Sequence, residues 1–117
     1  MPAKFTNIIS EKQLDSIFET SFQRPVAVLK HSDTCGISAD ILYQLREIDG
    51  EINVIVIQEH RDISNSLAHR TGHRHQSPQA FVIKDGKSVY HATHYGINPA
   101  EIEKMLSVGP KSLSVDI

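Results

Sequence analysis

The sequence predicts an α/β domain with a central mixed β-sheet flanked by helices, in the order β-α-β-α-β-α-β-β-α. Three observations carry this. Two continuous apolar runs, "VAVLK" and "INVIVIQ", have the character of strands buried on both faces. Segments with helical spacing of apolar residues separate the β-prone runs. Towards the end, "KDGK" joins "QAFVI" to "SVYHAT" with the Asp-Gly chemistry of a hairpin. Strands linked through helices are expected to run parallel and the closing hairpin antiparallel, which makes the sheet mixed.

Each element has its own local reason. "FTNIIS" is a candidate short first strand. Ser10 and Gln13 form an S-x-x-Q capping box before Leu14, Ile17 and Phe18, which share one helical face. Pro25 punctuates the chain before "VAVLK". Ser32 or Thr34 can cap the second helix, on which Ile41, Leu42, Leu45 and Ile48 keep helical spacing, and Asp49-Gly50 is expected to end it. After "INVIVIQ", Asp62 can cap a helix carrying Ile63, Leu67 and Ala68, with Gly72 just past its end. Asn98-Pro99 is an N-cap followed by proline at the first helical position, opening "AEIEKMLSV". Ile55, Ile57, Phe81 and Ile83 are expected in the core.

A chain of 117 residues fits one domain, expected over 1–109, with 110–117 as a loosely attached tail. The formal net charge of -2 gives no reason to expect nucleic acid or an anionic membrane as a partner. The N-terminal "MPAKFTNIISEKQ" lacks the apolar core of a signal peptide, and no apolar run is long enough to span a bilayer. A cytoplasmic protein is the expectation. The single cysteine, Cys35, excludes an intramolecular disulfide, so any disulfide it forms is with another molecule.

Cys35 lies in "HSDTCGIS", between the second strand and the second helix. The thiolate is the nucleophile in disulfide exchange, and unpaired N–H groups at a helix start favour it. Thr34 and Ser38 offer hydroxyls to the sulfur, and Lys30 and His31 offer positive charge. Ser38 stands where a second, resolving thiol would normally sit. Two readings follow: a reactive monothiol whose mixed disulfide is resolved by an outside thiol, or a buried, inert cysteine.

The element order resembles that of a thioredoxin-like domain, whose reactive cysteine has this placement. In that fold a cis-proline opens the strand after the third helix and faces the cysteine, and Pro78 of "HQSPQAFVI" falls there. Only about 5–6% of X–Pro bonds are cis, so the placement rather than the residue type supports this.

More specifically, the chain resembles the monothiol bacilliredoxins of the C type. Their signature, approximately H-S-x-T-C-P-I-S, is matched at His31, Ser32, Thr34, Cys35, Ile37 and Ser38. The resemblance continues at Gln58, Glu59, Arg61, Ile63, Ser64 and Asn65 (Q-E-x-R-x-I-S-N), then through "HQSPQAFVIKDGK" and "HATH". It implies a cytoplasmic thiol–disulfide oxidoreductase of redox homeostasis that removes bacillithiol from client cysteines. Cys35 is then the nucleophile, with Thr34, Gly36 and Ser38 in support. Ser77, Pro78, His75 and Arg61 are the implied substrate-binding residues. No tightly bound cofactor is expected. Bacillithiol is the implied co-substrate, and the implied partners are S-thiolated proteins and a bacillithiol disulfide reductase. Arg61 and Arg74 either pair with the malate carboxylates of bacillithiol or are solvated surface arginines.

Gly36 departs from the family proline. Its N–H is an added donor near the sulfur, expected to lower the Cys35 pKa, while the flexibility of glycine opposes this. "CGIS" is also similar to the C-G-F-S of monothiol glutaredoxins, so a [2Fe–2S] carrier or a non-catalytic thioredoxin-fold binding module is the alternative. The chain lacks their G-G motif and T-V-P-x-x-F context. His69, His73 and His75 cluster in "HRTGHRH", near His91 and His94, but Gly72 is expected to end the helix before His73 and spoil the i, i+4 pair. No metal site is expected.

Overall fold

A computed structural model describes residues 2–107. The proposed tail, 110–117, and the domain boundary at 109 lie outside the described residues. The elements are β1 (Lys4–Asn7), α1 (Glu11–Thr20), β2 (Val26–His31), α2 (Gly36–Leu45), β3 (Glu51–Val56), α3 (Arg61–Thr71), β4 (Gln79–Lys84), β5 (Lys87–Thr93), a 3-10 turn (His94–Gly96) and α4 (Pro99–Leu106). They follow the expected order. The five strands lie in the order β1-β3-β2-β4-β5.

Strand alternation divides the core between the two sheet faces. Val26, Val28, Ile55, Phe81 and Ile83 face α1 and α3, where they meet Leu14, Ile17, Ile63 and Leu67. Ala27, Leu29, Ile52, Val54, Ala80 and Val82 face α2 and α4, where they meet Ile41, Leu45 and Ile102. All six residues of β2 are buried, as expected for a central strand covered on both sides.

One expectation about direction is corrected. β1, β2 and β3 pair in parallel, but β4, although linked to β3 through α3, runs antiparallel to β2. The register gives the reason: β3 ends at Val56 beside His31, and β4 begins at Gln79 beside Lys30. The chain therefore leaves and re-enters the sheet at the same end, because α3 and the segment after it return to that edge rather than crossing to the other. Pro78 is thereby brought to the end of β2 from which Cys35 departs.

Several helix ends also differ from expectation. Ser10 caps α1 by accepting from the Gln13 N–H at 3.1 Å, but Gln13 reaches back to the Ile9 N–H at 2.7 Å instead of that of Ser10. α2 stops at Leu45 rather than at Asp49-Gly50. Bonds from the Glu47 N–H to the Gln44 carbonyl and from the Ile48 N–H to the Leu45 carbonyl tighten the chain into a turn there. Ile48 remains buried. α3 starts at Arg61 with His60 as N-cap, because the N–H groups of Glu59 and His60 both close onto the Val56 carbonyl and turn the chain before Asp62. Asp62 then lies in the first turn, where its charge suits the helix dipole. Gly72 ends α3 in the left-handed conformation, and Asn98 caps α4, both as expected. The hairpin turns at Asp85 (φ 54°) and Gly86 (φ 75°), the paired positive angles of an Asp-Gly turn.

Candidate active site

The second helix is capped by neither Ser32 nor Thr34; Cys35 itself is the N-cap residue, with extended backbone angles. The two hydroxyls are engaged elsewhere. Gln58, from the turn between β3 and α3, donates to Ser32 Oγ at 2.7 Å and to Thr34 Oγ1 at 3.2 Å. Its carbonyl oxygen accepts from the Asp33 N–H at 3.1 Å. One side chain thus clamps the loop that carries the cysteine. Sequence reasoning gave Gln58 no role beyond its place in a matched segment.

An N-cap side chain faces the N–H groups two and three residues further on. No hydrogen bond closes the cap onto the Cys35 sulfur, yet the thiol, partly exposed, is pulled below its ordinary pKa chiefly by the nearby Ser38 N–H. Desolvation opposes the shift, while the Ser38 hydroxyl and the Ile37 N–H reinforce it. Gly36, expected to supply an extra donor, does not figure among the causes of this shift. Nor do Thr34, Lys30 or His31. His31 Nε2 lies 3.3 Å from Asp33 instead.

Ser38 is fully buried, and its oxygen accepts from the Ser32 N–H at 3.3 Å. Its own hydrogen is therefore free for the sulfur. Ser77 Oγ lies 3.5 Å away, so the first turn of α2 meets the residue before Pro78. The Ser77–Pro78 peptide is cis. The His94 N–H donates to the Pro78 carbonyl at 3.0 Å, docking the 3-10 turn against the same proline. From that turn Tyr95 donates to Asp40 Oδ2 of α2 at 2.7 Å. Cys35, Ser38, Ser77 and Pro78 are thus brought together, with Tyr95 and Asp40 as neighbours that no sequence motif singled out.

Behind Pro78 lies a buried polar cluster on the α1/α3 face. Lys30 continues the inward parity of Val26 and Val28, and is fully buried. Burial lowers its pKa to about 8. Its ammonium lies 3.3 Å from His75 Nδ1, with Ser64 Oγ at 3.0 Å from the same nitrogen. An ammonium has only donors, so Nδ1 accepts and the neutral ring carries its proton on Nε2. Burial, then the charges of Lys30 and Arg61, push the His75 pKa down. Arg61 is exposed and, among the described residues, has no carboxylate within ion-pair distance. Gln79, also buried, lies 2.8 Å from His91 Nε2 and donates to the Arg74 carbonyl.

The histidines of "HRTGHRH" do not converge. His73 stacks on His91 at 3.7 Å with the rings 3° from parallel. Ring lone pairs lie in the ring plane, so two stacked rings do not direct them at one ion. His69 is on α3 while His73 follows the Gly72 turn. A cavity of about 380 Å³ bounded by Pro25, Asp49, Glu51 and Leu106 lies at the opposite end of the sheet and does not touch Cys35.

The topology, with a cysteine at the start of the helix after the second strand and a cis-proline beside it, defines a thioredoxin-fold protein with a single-thiol site. Solved structures bear out the fold. An oxidoreductase candidate with a thioredoxin fold matches with TM-score 0.77 and 30% identity over 86% of this chain and 92% of its own. A thioredoxin from Trypanosoma brucei brucei matches with TM-score 0.69 and 15% identity, over 90% of this chain and 89% of its own. A thioredoxin variant from Halobacterium salinarum gives 0.66 and 16%, over 92% and 91%. The model of the monothiol bacilliredoxin BrxC family matches residues 6–102, and the chain belongs to that family. It is therefore a member of a family of thioredoxin-fold thiol oxidoreductases. Among the described residues no helix is long and apolar enough to cross a membrane.

Proposed function

We propose that this protein removes a low-molecular-weight thiol, bacillithiol, from mixed disulfides on client cysteines. The observation that carries the reading is the sulfur of Cys35 at the N-cap of α2, held towards the thiolate by Ser38 and Ile37, in a chain with no second thiol.

The Cys35 thiolate attacks the bacillithiol sulfur of the mixed disulfide. A new S–S bond joins Cys35 to bacillithiol as the old one breaks, and the client sulfur leaves with the electron pair and takes a proton from solvent. Ser38 cannot resolve the product. A second bacillithiol thiolate attacks the cap, releasing bacillithiol disulfide and the Cys35 thiolate. A bacillithiol disulfide reductase returns the disulfide to thiols.

Ser77 and Pro78 line the groove beside the sulfur in this reading. His75 borders it, and Arg61, a guanidinium without a carboxylate partner among the described residues, takes a malate carboxylate of the cap. The experiment is to incubate a bacillithiolated client with the protein and follow both masses. The expected outcome is transfer of one cap to the wild type and none to Cys35→Ala. Absence of transfer overturns the reading. Transfer of glutathione but not bacillithiol keeps the chemistry and rejects the named thiol.

A further inference from the structure

We infer that Tyr95 and Asp40 form a cation-accepting shelf beside Cys35, one that favours thiol caps with an ammonium group next to the transferred sulfur. The inference rests on the oxidoreductase reading and assigns a specificity to the same site.

Position comes first. Asp40 is in the second turn of α2, the helix that Cys35 caps. Tyr95 is in the 3-10 turn, which the His94 N–H fastens to the Pro78 carbonyl at 3.0 Å. The bond from Tyr95 to Asp40 Oδ2, 2.7 Å, spans from one wall of the site to the other. Tyr95 thus stands between the proline turn and the helix that begins at Cys35, and its phenol is raised in pKa by the bond to Asp40 first, then by burial, by the Asp40 charge and by Cys35.

Chemistry follows from that bond. The phenolic hydrogen is committed to Asp40, so Tyr95 offers the substrate its ring rather than its hydroxyl. Donation to a carboxylate enriches the ring in electron density, which strengthens its attraction for a cation. Tyr95 is 61% exposed, so its ring is open to solvent although its hydroxyl is anchored. Three other rings in this protein carry a cation: Arg46 lies 4.6 Å from the Tyr43 centroid, Arg70 5.1 Å from that of Phe18 and Lys30 6.0 Å from that of Phe81. Among the described residues no cation covers Tyr95, and Asp40 forms no ion pair. An open ring and an uncompensated carboxylate together suit a cation and repel an anion. Arg61 and the His75 cluster, behind Pro78, have the opposite preference. The shelf therefore separates caps whose cysteine-like amine is free from caps in which it is acylated.

Cystamine and N,N′-diacetylcystamine test this, since acetylation removes the charge beside the sulfur and its other effects on intrinsic reactivity cancel when the ratio is compared between variants. In each, the Cys35 thiolate forms a bond to one sulfur, the original S–S bond breaks, and the other half leaves as a thiolate that takes a proton from solvent. The reading is the ratio of the two second-order rate constants, followed by mass. We expect the ratio to fall about three- to fivefold in Tyr95→Ala and comparably in Asp40→Asn, which keeps the shape and removes the charge. In the wild type, which needs no substitution, the ratio is expected to fall as salt is raised. A ratio unchanged in both variants, or a wild-type ratio indifferent to salt, overturns the inference while leaving the oxidoreductase reading intact. No reaction of wild type with either compound overturns both.

Discussion

Ser38 occupies the place of a resolving thiol and does a different job there: buried and accepting from Ser32, it lowers the pKa of Cys35 through its N–H and its hydroxyl. Two substitutions separate its roles. Ser38→Ala removes the hydroxyl and leaves the Ser38 and Ile37 N–H groups in place. The thiolate absorbance is then expected to titrate at higher pH than in wild type, with attack on a mixed disulfide at neutral pH slower by roughly two- to fivefold. Ser38→Cys restores a second sulfur at the helix start. Its oxidised form is expected to lose about two mass units through an internal disulfide, and its turnover to lose the need for an outside resolving thiol. An oxidised Ser38→Cys that still awaits an external thiol would show that the first turn of α2 holds the two sulfurs apart. Gln58 acts at the same scale but indirectly, fixing Ser32, Asp33 and Thr34 so that the residue after them can cap the helix.

At the scale of elements, the start of α2 explains how glycine stands in for the family proline. Position 36 is the first helical residue, where the N–H has no intrahelical partner. Cys35 has φ −108° and ψ 122°, the extended conformation that a residue before proline requires. A Cβ at position 36 meets nothing within 4 Å. Gly36→Pro is therefore expected to be accepted and to stabilise the fold by about 0.4–1 kcal/mol, chiefly by restricting the unfolded chain. Because the donors to sulfur are Ser38 and Ile37, the thiol pKa should not move. A denaturation midpoint below that of wild type, or a displaced thiol titration, would contradict this account. The reversed direction of β4 matters as much as the helix start: with β4 parallel to β2, Pro78 would lie at the far end of the sheet from Cys35.

For the molecule as a whole, the two faces of the sheet are unlike. The α2/α4 face is mainly apolar, with His31 and Ser38 as its buried polar residues beside Cys35, whereas the α1/α3 face gathers Lys30, Ser64, Gln79, His75 and His91 at its active-site end. Stability should record this. Lys30 falls from 10.5 to about 8 on folding, so the unfolded chain binds the extra proton between those values. Stability accordingly rises with pH from about 8 to 10.5, and below 8 the buried ammonium costs up to about 3 kcal/mol. Lys30→Met is expected to stabilise the protein at pH 7 by about 1–3 kcal/mol and to remove that slope. Chemical denaturation across the range checks both, and a slope that survives the substitution would assign it to another group. On the acid side, His75 and His91 are both lowered from 6.5, His91 by burial, then by His73 and Lys30. Their contribution is complete above 6.5 and is lost as pH falls below it. His91→Gln should make the loss shallower.

What the sequence determined by itself is what neighbours along the chain control. Apolar continuity in "VAVLK" and "INVIVIQ", the Asp85-Gly86 turn, Gly72 at the end of α3 and Asn98-Pro99 at the start of α4 each follow from local sterics and hydrogen bonding, and all stand in the structure. The single cysteine and the matched segments likewise sufficed for the family. Tertiary structure alone decided the direction of β4, the burial of Lys30 against His75 across 45 residues of chain, and the bond from Tyr95 to Asp40 across 55. It also made Cys35 the N-cap, since Gln58 takes the hydroxyls of Ser32 and Thr34 from 26 and 24 residues away. Local propensity offers a helix start several candidate caps. Which of them is left free depends on partners that only the folded chain brings within hydrogen-bond distance.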